Sequence, residues 1–124
     1  LLLAFLLCGC ANAASAQEGL VDLCAIDSEQ AYGPIRVRST VEADGHHGMY
    51  LSSMGCRFKL RVGQLSEDRH VSVDRFLSHV SSGARFNWRK YDADISGRVV
   101  HEESSRARFE MLRVHSFQDS VPSR

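Results

Sequence analysis

Strict two-residue alternation is the feature of this chain that leaves the fewest folds open. In Ile35-Arg36-Val37-Arg38-Ser39-Thr40-Val41, one phase carries Ile35, Val37, Ser39 and Val41 and the other carries Arg36, Arg38 and Thr40. Successive side chains of a strand point to opposite faces, so this segment buries one face and wets the other. The pattern returns in Arg57 to Val62, where Phe58, Leu60 and Val62 alternate with Arg57, Lys59 and Arg61. It returns again where Ala93, Ile95, Gly97 and Val99 interleave with Asp92, Asp94, Ser96 and Arg98. Between the first two runs lie a turn with two glycines over Ala43 to Gly48, a short strand over Met49 to Leu51, and a second turn at Gly55-Cys56.

One segment has the other period. Val73, Phe76, Leu77 and Val80 recur at i, i+3, i+4 and i+7, which places them on one face of a helix. Ser72 reads as its N-cap, Asp74 sits in the first turn where a negative charge suits the helix dipole, and Gly83 ends it. Glu102 to Ser105 reads as a polar hairpin turn. In the last strand, from Arg106 to about Phe117, Phe109 and Met111 share a phase while Leu112 and Val114 take the opposite one, so a bulge near Met111 is expected. Gly97 within a strand points to a bend of the kind a small barrel needs.

The N-terminus bears on the compartment. Leu1 to Cys8 is an uncharged apolar run, too short for a bilayer-spanning helix of about 20 residues. Small residues and then polar chain follow it, so residues 1–16 read as a secretory signal peptide, truncated at its own N-terminus. Two exits compete. One is cleavage before Gln17, after Ala14-Ser15-Ala16; the other is a lipobox, Leu7-Cys8-Gly9-Cys10, in which Cys10 is lipidated. Residues 17–124 then form one domain of roughly 100 residues, with a polar tail from about 118. Cys24 and Cys56 remain in the folded part, and two cysteines of an exported domain are expected to pair. Gly19 to Ala31, with Leu20, Leu23 and Cys24 at helical spacing, reads as a short N-terminal helix closed by Gly33-Pro34.

The expected fold is mainly β: three strands, a central helix and two strands, preceded by a short N-terminal helix. That order resembles the OB-fold, a five-stranded Greek-key barrel. More narrowly, the chain resembles small exported bacterial proteins of an uncharacterised family with this architecture. The residues that carry the resemblance are Gly33-Pro34-Ile35-Arg36-Val37-Arg38, His47-Gly48, Gly55-Cys56 and Ile95-Ser96-Gly97-Arg98-Val99. It implies fold and export and brings no activity with it.

Functional candidates are local, because 15 basic and 15 acidic residues leave no net field to attract nucleic acid or anionic lipid. No Gly-x-Ser-x-Gly elbow, P-loop, His-Glu-x-x-His or dinucleotide fingerprint is present. No cofactor is implied, and a role by binding is expected rather than catalysis. Adjacent His46 and His47 beside Asp44 lie in the loop between the first two strands, which in OB-folds borders ligands. A metal-binding accessory role for that loop is the alternative reading, although neighbouring strand residues point opposite ways and no further ligand is placed by spacing. Phe86 and Trp88, with Arg89, could form a partner surface or a glycan shelf, or could cover the barrel end. Tyr50 is the aromatic of the second strand. Arg36, Arg38, Arg57, Lys59 and Arg61 could make a basic stripe that Asp92, Asp94 and Glu110 neutralise across strands. Export argues against nucleic acid, leaving a protein or small ligand of the envelope as partner, membrane contact only through lipid on Cys10, and a monomer.

Overall fold

The structure, a computed structural model, describes residues 19–27, 30–44, 48–57, 59–83, 88–101 and 106–120. The leader with Cys8 and Cys10, the His46-His47 pair, Phe58, Phe86 and the Glu102 to Ser105 turn lie outside them. The described residues form five strands: β1 (Tyr32–Asp44), β2 (Gly48–Ser52), β3 (Lys59–Val62), β4 (Arg89–Val100) and β5 (Arg108–Asp119). Among the described residues one α-helix, α1 (Val71–Gly83), stands between β3 and β4.

The strands close into a barrel in the order β1-β2-β3-β5-β4 and back to β1. All pairs are antiparallel except β3 with β5. A five-stranded closed barrel with one helix after the third strand is an OB-like architecture. Long β1 makes closure possible: it pairs with β4 from Tyr32 to Ala43 and with β2 from Thr40 to Asp44. The inward phase read from the alternation is the core phase. Val37, Val41, Leu51, Leu60, Ile95, Val99 and Phe109 are all buried.

Two bends let the sheet curl. Opposite β4, the register of β5 slips twice, so that Ile95 faces Val114 while Gly97 faces Met111 and Asp94 faces Ser116. The extra residues are Leu112 and His115, which reconciles Met111, Val114 and Phe117 as core-facing at spacings of three. Gly97 sits beside the first slip. A Cβ there would stand 2.5 Å from Phe109 Cζ and closer still to the carbonyl oxygen of Glu110, so only glycine lets β5 approach.

Helix α1 buries Val73, Phe76 and Val80, with Phe76 edge-on to Tyr91 (5.8 Å between ring centroids) and to Phe117 (4.9 Å). Its start differs from the expected Ser72 cap. The His70 ring nitrogen Nδ1 accepts from the Ser72 N–H at 3.1 Å, and the Ser72 hydroxyl accepts from the Val114 N–H at 2.9 Å. The His70 N–H donates to the Leu112 carbonyl at 2.8 Å. Backbone groups that the β5 bulge releases from the ladder are thus satisfied by the start of α1.

The short N-terminal helix reduces to one 3₁₀ turn, Leu23–Ala25, capped by the Asp22 side chain. Before it the chain is extended: the Val21 N–H donates to the Arg36 carbonyl, and the Arg36 N–H to the Gly19 carbonyl. Leu20 is therefore 57% exposed instead of lying on a buried helix stripe. β1 reaches beyond β2 and offers its edge to the incoming segment there, and backbone pairing with that edge outweighs a one-turn helical preference. Leu23 and Ile26 join the core, and Cys24 is disulfide-bonded to Cys56 with the two Cα atoms 5.7 Å apart. Among the described residues no helix is long and apolar enough to cross a membrane.

Candidate binding surface

The outward phase of the barrel separates into two faces of different electrostatic character. On the β1–β4 side, Arg36 grips Asp94 with both ends of its fork, Nε to Oδ1 at 2.7 Å and Nη2 to Oδ2 at 2.8 Å. Arg38 adds a longer contact of 3.5 Å. The Arg36 hydrogen bond is the main reason that the Asp94 carboxyl is held below its usual value, against the opposing effect of its burial. Two of the five cations of the anticipated basic stripe are therefore neutralised here across strands, by Asp94 of the acidic residues anticipated for that role. The shallow depression of about 550 Å³ beside it, bordered by Arg38, Thr40, Asp92 and Gln118, mixes both signs of charge.

Two further networks on the barrel wall are structural. Arg98 donates to Glu110 at 2.6 Å, to Asp68 at 3.0 Å and to Ser66, pinning the loop before α1. Ser96 Oγ lies 2.6 Å from His115 Nε2, the spacing of a nucleophile and its base. Ser96 is only 1% exposed, so no substrate reaches its hydroxyl, and the pair fastens β4 to the β5 bulge.

The other face is different. Register places Tyr50 of β2 between Glu42 of β1 and Arg61 of β3, and Arg61 in turn opposite Arg108 of β5. Tyr50 also meets Trp88, with ring centroids 6.2 Å apart and planes inclined by 44°. A groove of about 310 Å³ opens beside Tyr50 and is lined by Lys59, Arg61, Arg106, Ala107 and Arg108. Lys59 bonds Glu42 at 3.0 Å, and Lys90 approaches the same carboxylate at 3.9 Å. Partial burial works to raise the Glu42 carboxyl, but hydrogen bonds from Lys59 and Ser52 and the two lysine charges outweigh it and hold the group below its usual value. Among the described residues neither Arg61 nor Arg106 forms an ion pair.

The groove gathers some of the residues singled out in the sequence and adds others. Tyr50 and Trp88 come together, although one lies in β2 and the other just before β4, 38 positions apart. Arg89 starts β4 in the opposite phase to Trp88, and its charge is felt instead by the Tyr91 phenol, whose pKa is raised chiefly by burial. Cys24 and Cys56 are joined away from the groove. His46, His47 and Phe86 lie outside the described residues, as does the lipidation candidate Cys10. Among the described residues no three His, Cys, Asp or Glu side chains converge as metal ligands. Sequence reasoning passed over Arg106 and Arg108, because only the parallel β3–β5 pairing brings them to Arg61. The expected strand order carried that signal: in an OB-like barrel the third and fifth strands are neighbours.

Comparison of the chain with protein-family models, with curated proteins and with solved structures finds no match to any of them. The likeness therefore extends to architecture, an OB-like barrel, and the groove's own chemistry has to carry the functional reading.

Proposed function

We infer that this chain is an exported binding module of the bacterial cell envelope, acting without catalysis of its own, whose ligand surface is the outer face of β2 and β3. The observation that carries the reading is the convergence of Lys59, Arg61, Arg106 and Arg108 on one groove beside the Tyr50–Trp88 pair, in a chain of zero net charge. Like charges gathered on a neutral protein cost stability, which an anionic ligand would recover. Aromatic faces beside guanidiniums add a surface for rings and sugar CH groups. Export is supported by the apolar leader and by the Cys24–Cys56 bond, since disulfides persist in oxidising compartments.

Trp88 is the sole tryptophan, and its fluorescence reports on this face directly. Titration with acidic oligosaccharides is expected to change its emission, whereas neutral ones of the same size leave it unchanged. In an Arg61→Gln, Arg106→Gln double variant the affinity falls by roughly tenfold for each charge-assisted hydrogen bond removed, about 1.5 kcal/mol apiece. Equal response to neutral and acidic ligands, or an unaffected double variant, would remove the basis for the reading.

A further inference from the structure

Among the described residues the seam between β3 and β5 has the fewest register pairs: Arg61 with Arg108 and Val62 with Phe109, continued by the Gly63 N–H donating to the Phe109 carbonyl at 2.8 Å. Its outward pair sets two guanidiniums against each other, and Arg106 lines the same groove two residues upstream of Arg108. Glycine stands beside both partners. The stem of Arg108 lies 3.2 Å from where a Cβ of Gly63 would be, and Arg61 Nη2 lies 3.9 Å from where one of Gly48 would be. Only the first approach is tight: a side chain at position 63 would press on the Arg108 stem, so glycine there leaves that stem its place beside the seam.

We propose that this seam is a phosphate-group site, with Arg61, Arg106 and Arg108 gripping one tetrahedral oxyanion, while Lys59 at the groove's edge stays paired with Glu42. Arginine forks match phosphate oxygens in two-toothed pairs, and three guanidiniums around one groove suit a group of charge near −2 with several equivalent oxygens better than a single carboxylate, which one fork satisfies. An anion bound there bridges β3 to β5, so occupancy also reinforces a closure that the backbone already makes. The molecule bearing the phosphate places its next ring toward Tyr50 and Trp88. This assignment rests on the reading of the β2–β3 face as the ligand surface and names the group that it holds.

The test is thermal unfolding of the oxidised chain in inorganic phosphate against chloride and acetate at matched ionic strength. For a site of low-millimolar affinity, phosphate at about four times Kd raises Tm by about 4–8 °C over chloride, and acetate does not. Arg61→Gln and, separately, Arg106→Gln each lose most of that increment. An Arg61→Gln variant that lowers Tm equally in chloride and in phosphate, with the phosphate increment intact, would mark Arg61 as a purely structural arginine. A shift of the same size in all three salts, or a phosphate increment retained in both variants, overturns the proposal. Two more arms identify the bearer. Glucose 6-phosphate that exceeds inorganic phosphate and alters Trp88 fluorescence supports a sugar phosphate, while vesicles containing phosphatidate that exceed both support a lipid headgroup. If acidic oligosaccharides bearing only carboxylates move Trp88 and no phosphate compound acts, this assignment falls and the binding-face reading stands. If nothing anionic acts, both fall.

Discussion

Gly97 shows how far one residue can govern the wall of a small barrel. It sits at a register slip, and the carbonyl of Glu110 and the ring of Phe109 occupy the space a side chain would take. Gly97→Ala is expected to lower stability by about 3 kcal/mol, at the upper end of the cost of overpacking, since backbone and a core ring would both have to move. Urea denaturation followed by circular dichroism measures it, and a loss under about 1 kcal/mol, the lower end of that range, would show that the bend does not depend on glycine. Asp94 carries a pH signature. Its folded pKa is depressed, so its stabilising effect is fully present above the unfolded value of about 3.9 and is lost as pH falls through the folded one. Asp94→Asn should therefore cost about 2 kcal/mol at pH 7, the worth of a hydrogen bond between charged groups, and progressively less below about pH 4. A cost that does not change between pH 7 and pH 3 would show that the Arg36 pair contributes through packing alone. The inward alternation made Gly97 and the outward alternation made Asp94 legible as positions. Their partners were not legible, because those come from β5 and β1 across the sheet.

At the scale of elements, α1 and β5 are coupled through their irregularities. The bulged strand leaves the Val114 N–H and the Leu112 carbonyl outside the ladder, and the start of the helix takes up both. Ser72 is thus a bridge where its place before an apolar stripe suggested a cap, and His70 does the capping. Cap preference is a local rule, whereas a half-buried N–H on a neighbouring strand competes for the same hydroxyl and loses more if left unbonded. Ser72→Ala should destabilise by about 1–2 kcal/mol and speed exchange of the Val114 amide selectively. Amide exchange read by NMR checks this; uniform acceleration along α1, with Val114 unchanged, would assign Ser72 the capping role after all.

For the whole molecule, closure comes from two devices. β1 is long enough to pair on both sides, and the disulfide ties the N-terminal segment to the turn after β2. The two cysteines are 32 positions apart, and a loop of that size stabilises by about 3.5 kcal/mol in the chain-entropy model. Reduction, or the Cys24→Ser, Cys56→Ser double variant, is expected to lower Tm by about 15 °C or more for a domain of this size. It should also release Gly19 to Val21 from the edge of β1, which hydrogen exchange at Val21 and Arg36 would detect. An unchanged Tm on reduction would mean that Leu23 and Ile26 hold the segment by burial alone.

Alternation of two and a single run at helical spacing determined, from the sequence alone, which residues face the core, where the one long helix lies and that the fold is a small barrel. These are local periods, and each is set by the geometry of its own strand or helix. What the tertiary structure decided is which outward charges meet. Arg36 and Arg38 are taken up by Asp94, while Arg61 is carried by the parallel seam to Arg106 and Arg108, which lie far along the chain from it. Register between strands sets that partition, and no local pattern encodes register between segments so distant.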